Sequence, residues 1–314
     1  STFQFHPEAI TTTLCVPISS GAERKVAEKL LLSSINSKTP STKSMAQTPH
    51  QTAQQLLDSS LLDACETGDI LEVRRLVGQG ANVEARESDD DYNYTPLILS
   101  SYAGFLNVVE YLISAGADVN AASKNGTTSL FMACQEGHLD IAALLIKHGV
   151  DVNAMMNDKT TPLYIACQNG FLEVVSLLLD SNANMNTSVD NGSTPLIVAC
   201  AHQHQEIGSL LMKKGADVNA RANDGRTALH SACIKGHLPI VCDLVAAGAD
   251  TAARDETGFA PVHDACRLGK ADVVAYLLEK AGPGGAEDLA GWNGNTGLHL
   301  AAWKGHARVV WWFL

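Results

Sequence analysis

Apolar residues recur along most of this chain in short stripes that have the spacing of an α-helix. Two stripes with identical spacing are Leu106, Val109, Leu112 and Ile113, and Leu172, Val175, Leu178 and Leu179. Side chains three, six and seven positions apart fall on one face of a helix, and that face is the one a helix buries. Glycine follows many of the stripes within a few residues. The pattern therefore predicts many short amphipathic helices rather than a few long ones.

A threonine that returns every 33 residues marks the start of a second kind of helix. The series is Thr95, Thr128, Thr161, Thr194 and Thr227, then Ala260 after a further 33 residues and Thr296 after 36, while a weaker unit opens at Ser59. A threonine hydroxyl caps free backbone N–H groups, and the proline that often follows it fits the first helical position. A glycine nine residues after most starts ends this helix by a left-handed turn. One unit is predicted to be helix, turn, helix and extended hairpin.

The 33-residue period and tetrapeptides such as Thr161-Pro162-Leu163-Tyr164 and Thr227-Ala228-Leu229-His230 make residues 57–314 resemble an ankyrin-repeat protein. The resemblance implies an all-α repeat solenoid of about eight stacked helix-turn-helix units with β-hairpin loops, the last unit incomplete. No single unit can bury its apolar stripe alone, so neighbouring units must stack. The family also implies a concave binding face, lined by the hairpin tips and the first helices.

Some positions depart from the repeat pattern. Gln203, Lys159 and Ala281 each stand where other units have glycine, so we expect local backbone strain at all three, whereas Asn93 and Asn182 accept left-handed geometry more readily. Three-residue insertions around residues 88–94 and 282–295 account for the two 36-residue intervals. Insertions of this kind map to loops, often on a binding face.

Residues 1–56 differ from the rest of the chain because they are rich in Ser and Thr with scattered Pro. They are predicted to form a mostly flexible tail with one short helix at about residues 22–35, and the start at Ser1 shows no secretory signal. At the other end, the second helix of the last unit stops one turn short at Leu314. We therefore expect a fragment, or a boundary inside a longer protein.

The net charge of −12 is concentrated in the repeats, where residues 57–314 carry 17 Lys/Arg against 31 Asp/Glu. An acidic surface repels phosphate backbones, so a nucleic-acid partner is not expected. No apolar run reaches the roughly 18 to 20 residues that a membrane-spanning helix needs, so membrane insertion is not expected either.

The cysteines suggest metal or disulfide chemistry until they are placed in the repeat. Six of them share one position of the first helix: Cys65, Cys134, Cys167, Cys200, Cys233 and Cys266. Equivalent helices in adjacent units lie about 8 to 10 Å apart, beyond the roughly 7 Å limit on the Cα separation of a disulfide. We therefore predict six buried free thiols and a reducing compartment, the cytoplasm or alternatively the nucleus.

The remaining polar residues form no catalytic constellation. His202 and His204 have no nearby third metal ligand, and the neighbours His263 and Asp264 do not face each other on a helix. The histidines of the repeat tetrapeptide, such as His230, are expected to make turn hydrogen bonds, as the family implies. We therefore predict no enzyme activity, no cofactor, no metal and no small-molecule substrate.

Function is accordingly expected on the concave face. The family's variable positions map at the amino end to Tyr92, Tyr94 and Tyr102, and at the carboxyl end to Arg226, Lys235, Phe259, Arg267, Leu268, Trp292, Trp303 and Lys304. Aromatic residues and arginine are enriched at interface hot spots, so the last three units are the preferred contact region. The alternative is that these aromatic residues pack against a following repeat or the insertion loop, which Trp311 and Trp312 suit better than Trp303.

Two functions follow from this sequence. The first is a non-catalytic scaffold or adaptor that binds a protein or peptide partner. The second is the regulatory or substrate-recognition array of a longer enzyme or ion channel. The resemblance does not name a partner, because ankyrin arrays bind unrelated proteins through one architecture.

Overall fold

The computed structural model describes residues 53–86, 93–281, 294 and 296–313. These residues form sixteen helices in eight pairs. The first helices of the pairs are α1 (Ala53–Thr67), α3 (Pro96–Ala103), α5 (Ser129–Glu136), α7 (Pro162–Asn169), α9 (Pro195–Ala201), α11 (Ala228–Lys235), α13 (Pro261–Arg267) and α15 (Gly297–Trp303). The second helices are α2 (Ile70–Gly78), α4 (Leu106–Ser114), α6 (Leu139–Lys147), α8 (Leu172–Asp180), α10 (Gln205–Lys213), α12 (Leu238–Ala246), α14 (Ala271–Ala281) and α16 (Ala307–Trp311). The predicted all-α repeat solenoid of about eight units is confirmed.

The first helices begin where the threonine spacing predicted. In unit four the Thr161 hydroxyl accepts a hydrogen bond from the Tyr164 backbone N–H at 3.2 Å, and Pro162 occupies the first helical position. The helix ends at Gly170, whose φ of +87° is left-handed. Unit one differs because α1 begins at Ala53, ahead of the weak start at Ser59 and of the tail boundary expected at residue 57.

The helix-ending glycines also connect successive units. A Cβ added to Gly170 would lie 2.5 Å from Cε1 of His204 in the next unit, and the His204 Nε2–H donates to the Gln168 carbonyl at 3.0 Å. His138 and His306 make the same backward bond to the carbonyls of Tyr102 and Arg267. Glycine is therefore required twice over, by the left-handed turn and by the close approach of the imidazole.

Stacking buries the apolar stripes in one continuous core. First helices pack against first helices and second against second in every adjacent pair of units, so Leu163, Val175 and Leu178 are almost fully buried. The six cysteines of the shared position are buried as predicted. The energetics are thus those of nearest neighbours, as in other solenoids.

The predicted hairpins are tight turns with very short arms. In the turn before unit three, the Ser123 N–H donates to the Thr127 carbonyl at 2.9 Å, and the arms share the bridge between Ala122 and Thr128. Neighbouring tips bond through the backbone: the Asn157 N–H donates to the Asn125 carbonyl at 2.9 Å. Within the described ranges this pairing is too short to form an extended strand, yet it joins the tips into one edge.

The expectations about replaced glycines are mostly confirmed. Gln203, Lys159, Asn93 and Asn182 adopt left-handed φ angles of +67°, +65°, +61° and +63°. The expectation for Ala281 was wrong. Helix α14 continues through Ala281 and has eleven residues instead of the nine of the other full second helices, since alanine favours continuation of a helix.

Three expectations lie outside the described residues: the tail with its short helix, most of the first insertion and nearly all of the second. Within the described part of the chain, no helix has both the length and the apolar character that crossing a membrane requires.

Candidate functional site

In units two to eight, one position of the first helix is half-buried or exposed, although the residue before it is buried in units two to seven. It lies seven residues after the capping residue, and we call it the groove row: Tyr102, Gln135, Gln168, Ala201, Ile234, Arg267 and Trp303. The turn tips precede the same helices in the chain. The predicted site residues lie on or next to the groove row and the turn tips, where their exposure decides whether a partner can reach them.

The amino end offers less surface than its tyrosines suggested. Tyr92 lies outside the described residues, Tyr94 is buried and Tyr102 is half-buried. Tyr94 precedes the capping Thr95, where it packs into the core instead of projecting from the loop. Of the three predicted tyrosines, Tyr102 is therefore the one whose described side chain a partner could reach.

The polar side chains in the middle of the array hold neighbouring units together. The Asn169 Nδ2 donates to the Gln135 carbonyl at 2.8 Å, and the Asn157 Nδ2 donates to the Lys124 carbonyl at 3.2 Å. Asparagine side chains thus bridge units 33 or 34 residues apart. These side-chain amides already hold neighbouring units together by hydrogen bonds.

The carboxyl end presents the largest accessible aromatic side chain of the groove row. Trp303 is 72% exposed, and the Lys304 Nζ lies 4.2 Å from the centroid of its indole. Lys235 is exposed, while Leu268 and Phe259 are half-buried. The Phe259 ring stacks on His263 with centroids 5.4 Å apart. Trp292 lies outside the described residues.

Arg226 and Arg267 are each held by a buried aspartate that the sequence analysis missed. The Arg267 Nη2 donates to the Asp264 Oδ1 at 2.8 Å, and the Arg226 Nε lies 3.6 Å from the Asp255 Oδ2. The two arginine side chains are 19% and 22% exposed, whereas the aspartate side chains are 1% and 3% exposed. A signal existed for Asp264, because the same position in units two to five is apolar: Leu99, Met132, Ile165 and Val198.

Two buried repeat histidines, His230 and His263, bond to the backbone near these arginines. The His230 Nδ1 accepts from the Thr227 N–H at 3.1 Å, and its Nε2–H donates to the Phe259 carbonyl at 3.1 Å. His263 accepts in the same way from the N–H of Ala260, which has no hydroxyl of its own. Burial lowers the pKa of His230, although the carbonyl bond and the negative charges of Asp264 and Asp255 oppose the shift.

Metal binding and thiol reactivity have no support among the described residues. Residues 53–86, 93–281 and 296–313 contain no group of three or more His, Cys, Asp or Glu side chains arranged to hold a metal ion. His204 bonds to the Gln168 carbonyl instead of forming a site with His202. Burial raises the pKa of the Cys65, Cys200 and Cys266 thiols to about 12, which suppresses the reactive thiolate.

Comparison with known proteins adds an independent result. A family model described as "Ankyrin repeats (3 copies)" matches residues 18–123, 115–189, 181–255 and 243–314. The chain is 41% identical over 71 residues to a 2-5A-dependent ribonuclease of Mus musculus, and 42% identical over 64 residues to ankyrin repeat domain-containing protein 49 of Homo sapiens. These stretches cover 23% and 20% of this chain, but only 9% and 26% of the two relatives.

Proposed function

The chain belongs to the ankyrin-repeat family, and we propose that it is a non-catalytic scaffold or adaptor that holds a partner protein on the groove row and tips of units six to eight. Ankyrin repeats are protein-binding modules whose stacked units build an extended surface. Within this array, the proposal places the partner at the carboxyl end and assigns no chemistry to the repeats.

The observation that carries the proposal is the exposure of Trp303 beside Lys304 in the groove row. The described residues leave 72% of the Trp303 side chain uncovered, and burial of this apolar surface by a partner would be favourable. Arg267 occupies the same row one unit earlier, and Phe259 lies at the preceding tip. Tryptophan and arginine are the residue types that dominate binding energy at interfaces.

The amino end is a weaker candidate for physical reasons. Its described aromatic residues are buried or half-buried, and the amides in the middle of the array already bond to neighbouring units. A partner would gain less by covering these groups than by covering Trp303. Two exposed basic side chains, Lys235 and Lys304, also lie in this part of the array.

Affinity capture with mass spectrometry will identify the partner, and titration of the purified partner then tests the site. Truncation of Trp303 or Phe259 to alanine is expected to weaken binding by about 30-fold, the loss typical of a hot spot. Lys124→Ala, at a tip in the middle of the array, should change affinity by less than about threefold. If both aromatic truncations leave affinity intact in folded protein, the partner binds elsewhere, and Tyr102 is the next residue to test.

A second candidate function has its own support. One relative is by name a ribonuclease, and the similarity covers only 9% of its length. This array would then be the regulatory or recognition part of a longer enzyme or channel. The full-length reading frame separates the two candidates, because an enzyme or channel domain in the same frame favours the second.

We also propose a reducing compartment, the cytoplasm or the nucleus. The support is the set of seven described cysteines, all of them free thiols and six of them buried. Imaging of the tagged full-length protein in cells tests the compartment. Localisation to an oxidising compartment would contradict it.

A further inference from the structure

Gln203 is a strained residue whose side chain makes no bond within the described part of the array. Four residues other than glycine adopt a left-handed backbone: Asn93, Lys159, Asn182 and Gln203. Asparagine tolerates this conformation, and Lys159 forms an ion pair with Asp190 at 3.3 Å. Gln203 is exposed, and its amide has no hydrogen-bond partner among the described residues. Residues held in strained conformations cluster at functional sites, so Gln203 is a candidate binding residue.

Gln203 also removes a contact between units five and six. In units two, four and seven, a histidine of the next unit packs on the glycine at this position and donates to a groove-row carbonyl: His138 to Tyr102, His204 to Gln168 and His306 to Arg267. A Cβ on those glycines would lie 2.5 to 2.7 Å from the imidazole, and Gln203 has a Cβ. His237 turns to its own helix instead, where its Nδ1 accepts from the Ile240 N–H at 3.3 Å. The Ala201 carbonyl therefore accepts no hydrogen bond from the described residues of unit six.

Unit six also leaves its groove-row carbonyl unbonded. Lys270 of unit seven stands at the histidine position, and its methylenes pack on Gly236, so the Ile234 carbonyl accepts no hydrogen bond from the described residues of unit seven. In unit three, by contrast, the Asn169 Nδ2 donates to the Gln135 carbonyl at 2.8 Å. The groove-row carbonyls of units two, three, four and seven are thus all bonded by the following unit. Units five and six are the part of the described array where these carbonyls stay available to a partner.

The groups around Gln203 favour an uncharged polar ligand. Ala201 has the smallest side chain of the groove row, which lets a partner approach the turn closely, and the next two residues, His202 and Gln203, are exposed. A carbonyl only accepts hydrogen bonds, whereas a glutamine amide both donates and accepts. An amide group of a partner carries an N–H and a C=O, so it complements this pair of groups in one turn.

We propose that Gln203 is a partner-binding residue and that the turn of residues 201–203 binds an uncharged amide group of the partner. The N–H of that amide donates to the Ala201 carbonyl, and its C=O accepts from the Gln203 Nε2. The amide is a backbone peptide group or the side chain of an Asn or Gln. This inference rests on the proposed function, because it places the same partner in the groove, and it extends the contact surface from units six to eight into unit five.

A random peptide library displayed on phage and selected on the full chain supplies the probe, a fluorescent peptide of the consensus sequence that is titrated by fluorescence anisotropy. Gln203→Gly should weaken the peptide by about tenfold, because a hydrogen bond is lost, while the melting temperature rises as the strain is relieved. Gln203→Glu keeps the size and the strain but loses the donor. It should weaken the peptide by a similar factor without raising the melting temperature.

Lys159→Gly is the matched control. It also replaces a left-handed residue by glycine, but Lys159 lies at the turn tip before unit four and already has a partner in Asp190. The affinity for the peptide should therefore stay unchanged. A higher melting temperature of Gln203→Gly with unchanged affinity would show that the array merely tolerates the glutamine, and it would overturn the inference.

Changes in the peptide distinguish the two sources of the amide. Each backbone amide of the peptide is N-methylated in turn, and each Asn or Gln is replaced by Ala. The change that removes the bound amide should weaken binding to the unmodified protein by about tenfold but barely affect binding to Gln203→Gly, because both changes delete the same contact. Coupling at a backbone position identifies a peptide group, and coupling at an Asn or Gln identifies a side chain. The absence of coupling at every position overturns the amide assignment.

The same peptides separate this inference from the proposed function. Peptides whose binding needs Trp303 and Phe259 but ignores Gln203 overturn the inference and leave the scaffold proposal standing. Peptides that need Gln203 but ignore both aromatic residues support the inference and count against the face at units six to eight. Peptides that ignore all three residues contradict both proposals.

Discussion

Units two to five and units six and seven share one backbone plan but fill the same two helix positions with opposite chemistry. Three residues after the capping residue, the first group has Ile98, Phe131, Tyr164 and Ile197, whereas the second has His230 and His263. One residue later, the first group has Leu99, Met132, Ile165 and Val198, whereas the second has Ser231 and Asp264. The stacking of helices is the same in both groups.

The repeat scaffold thus accepts buried polar groups when the neighbouring unit supplies their hydrogen-bond partners. His230 is fully buried, yet both of its ring nitrogens are bonded, one to unit six and one to the tip before unit seven. Asp264 meets this condition only in part, since one of its oxygens is bonded. The first group gains stability mainly from apolar burial, whereas the polar residues of the second group depend on specific hydrogen bonds.

The largest expected effect comes from removing the arginine of the buried pair. Arg267→Gln leaves the Asp264 carboxylate buried without its partner, so it should lower the free energy of unfolding by about 3 kcal/mol. The double variant Asp264→Ile/Arg267→Gln reproduces Ile165 and Gln168 of unit four and should recover most of that loss. Urea unfolding followed by circular dichroism measures both. Equal losses in the single and double variants would contradict the paired role.

The next effect comes from making unit six resemble unit three. His230→Phe, with Phe131 as its model, removes the acceptor for the Thr227 N–H and the donor to the Phe259 carbonyl, so it should cost about 2 kcal/mol of unfolding free energy. Phe131→Leu in unit three is the control, because no hydrogen bond is lost there. Denaturant unfolding of both variants provides the measurement. A smaller loss for His230→Phe than for Phe131→Leu would show that the buried bonds contribute little.

The same substitution should change the dependence of stability on pH. Burial lowers the pKa of His230, so the folded state binds a proton less readily than the unfolded state. The stabilisation is complete above the unfolded pKa of about 6.5 and is lost as the pH falls below it, because protonated Nδ1 no longer accepts from Thr227. Between about pH 7.5 and 5, the unmodified protein should lose more stability than His230→Phe. Parallel pH profiles would refute this cause.

A smaller effect is expected at the border between the two groups. Gln203 has a left-handed φ of +67° where other units have glycine, and His237 opposite it turns to its own helix, accepting from the Ile240 N–H at 3.3 Å. Gln203→Gly should raise the unfolding free energy by up to about 1 kcal/mol by relieving the strained backbone. An unchanged or lower urea midpoint would argue against strain. Glu206→Gly, at an exposed position of helix α10, is the control and should be destabilising.

The cysteines that both groups share are expected to react at the same rate in the two groups. Cys134 and Cys167 in the apolar units and Cys233 and Cys266 in the polar units are fully buried, and burial raises the pKa of all four thiols. A thiol reagent should modify these four cysteines of the native protein equally slowly, and it should modify the half-buried Cys242 first. Rapid modification of most thiols without unfolding would contradict their place in the core.

The repeat, its period and most of its helix boundaries follow from the sequence alone. Thr161 caps a helix, Pro162 begins it and Gly170 ends it through properties of those residues and their immediate neighbours. The left-handed backbone at Gln203 and Lys159 followed from their place in the period for the same reason. The burial of the six cysteines was predictable because one shared position in a stacked array has one environment. Ala281 escaped prediction because the helix before the insertion simply continued.

The tertiary structure decided which polar and aromatic side chains remain accessible. Tyr94 is buried although it flanks a loop, and the asparagine amides in the middle of the array bond to units about 33 residues away. Asp264 and Arg267 are three residues apart, yet the neighbouring units determine that their contact is buried and that Arg267 keeps part of its surface. Periodicity assigns a residue to a helix face, but only packing between units fixes what that face meets and how much of it water reaches.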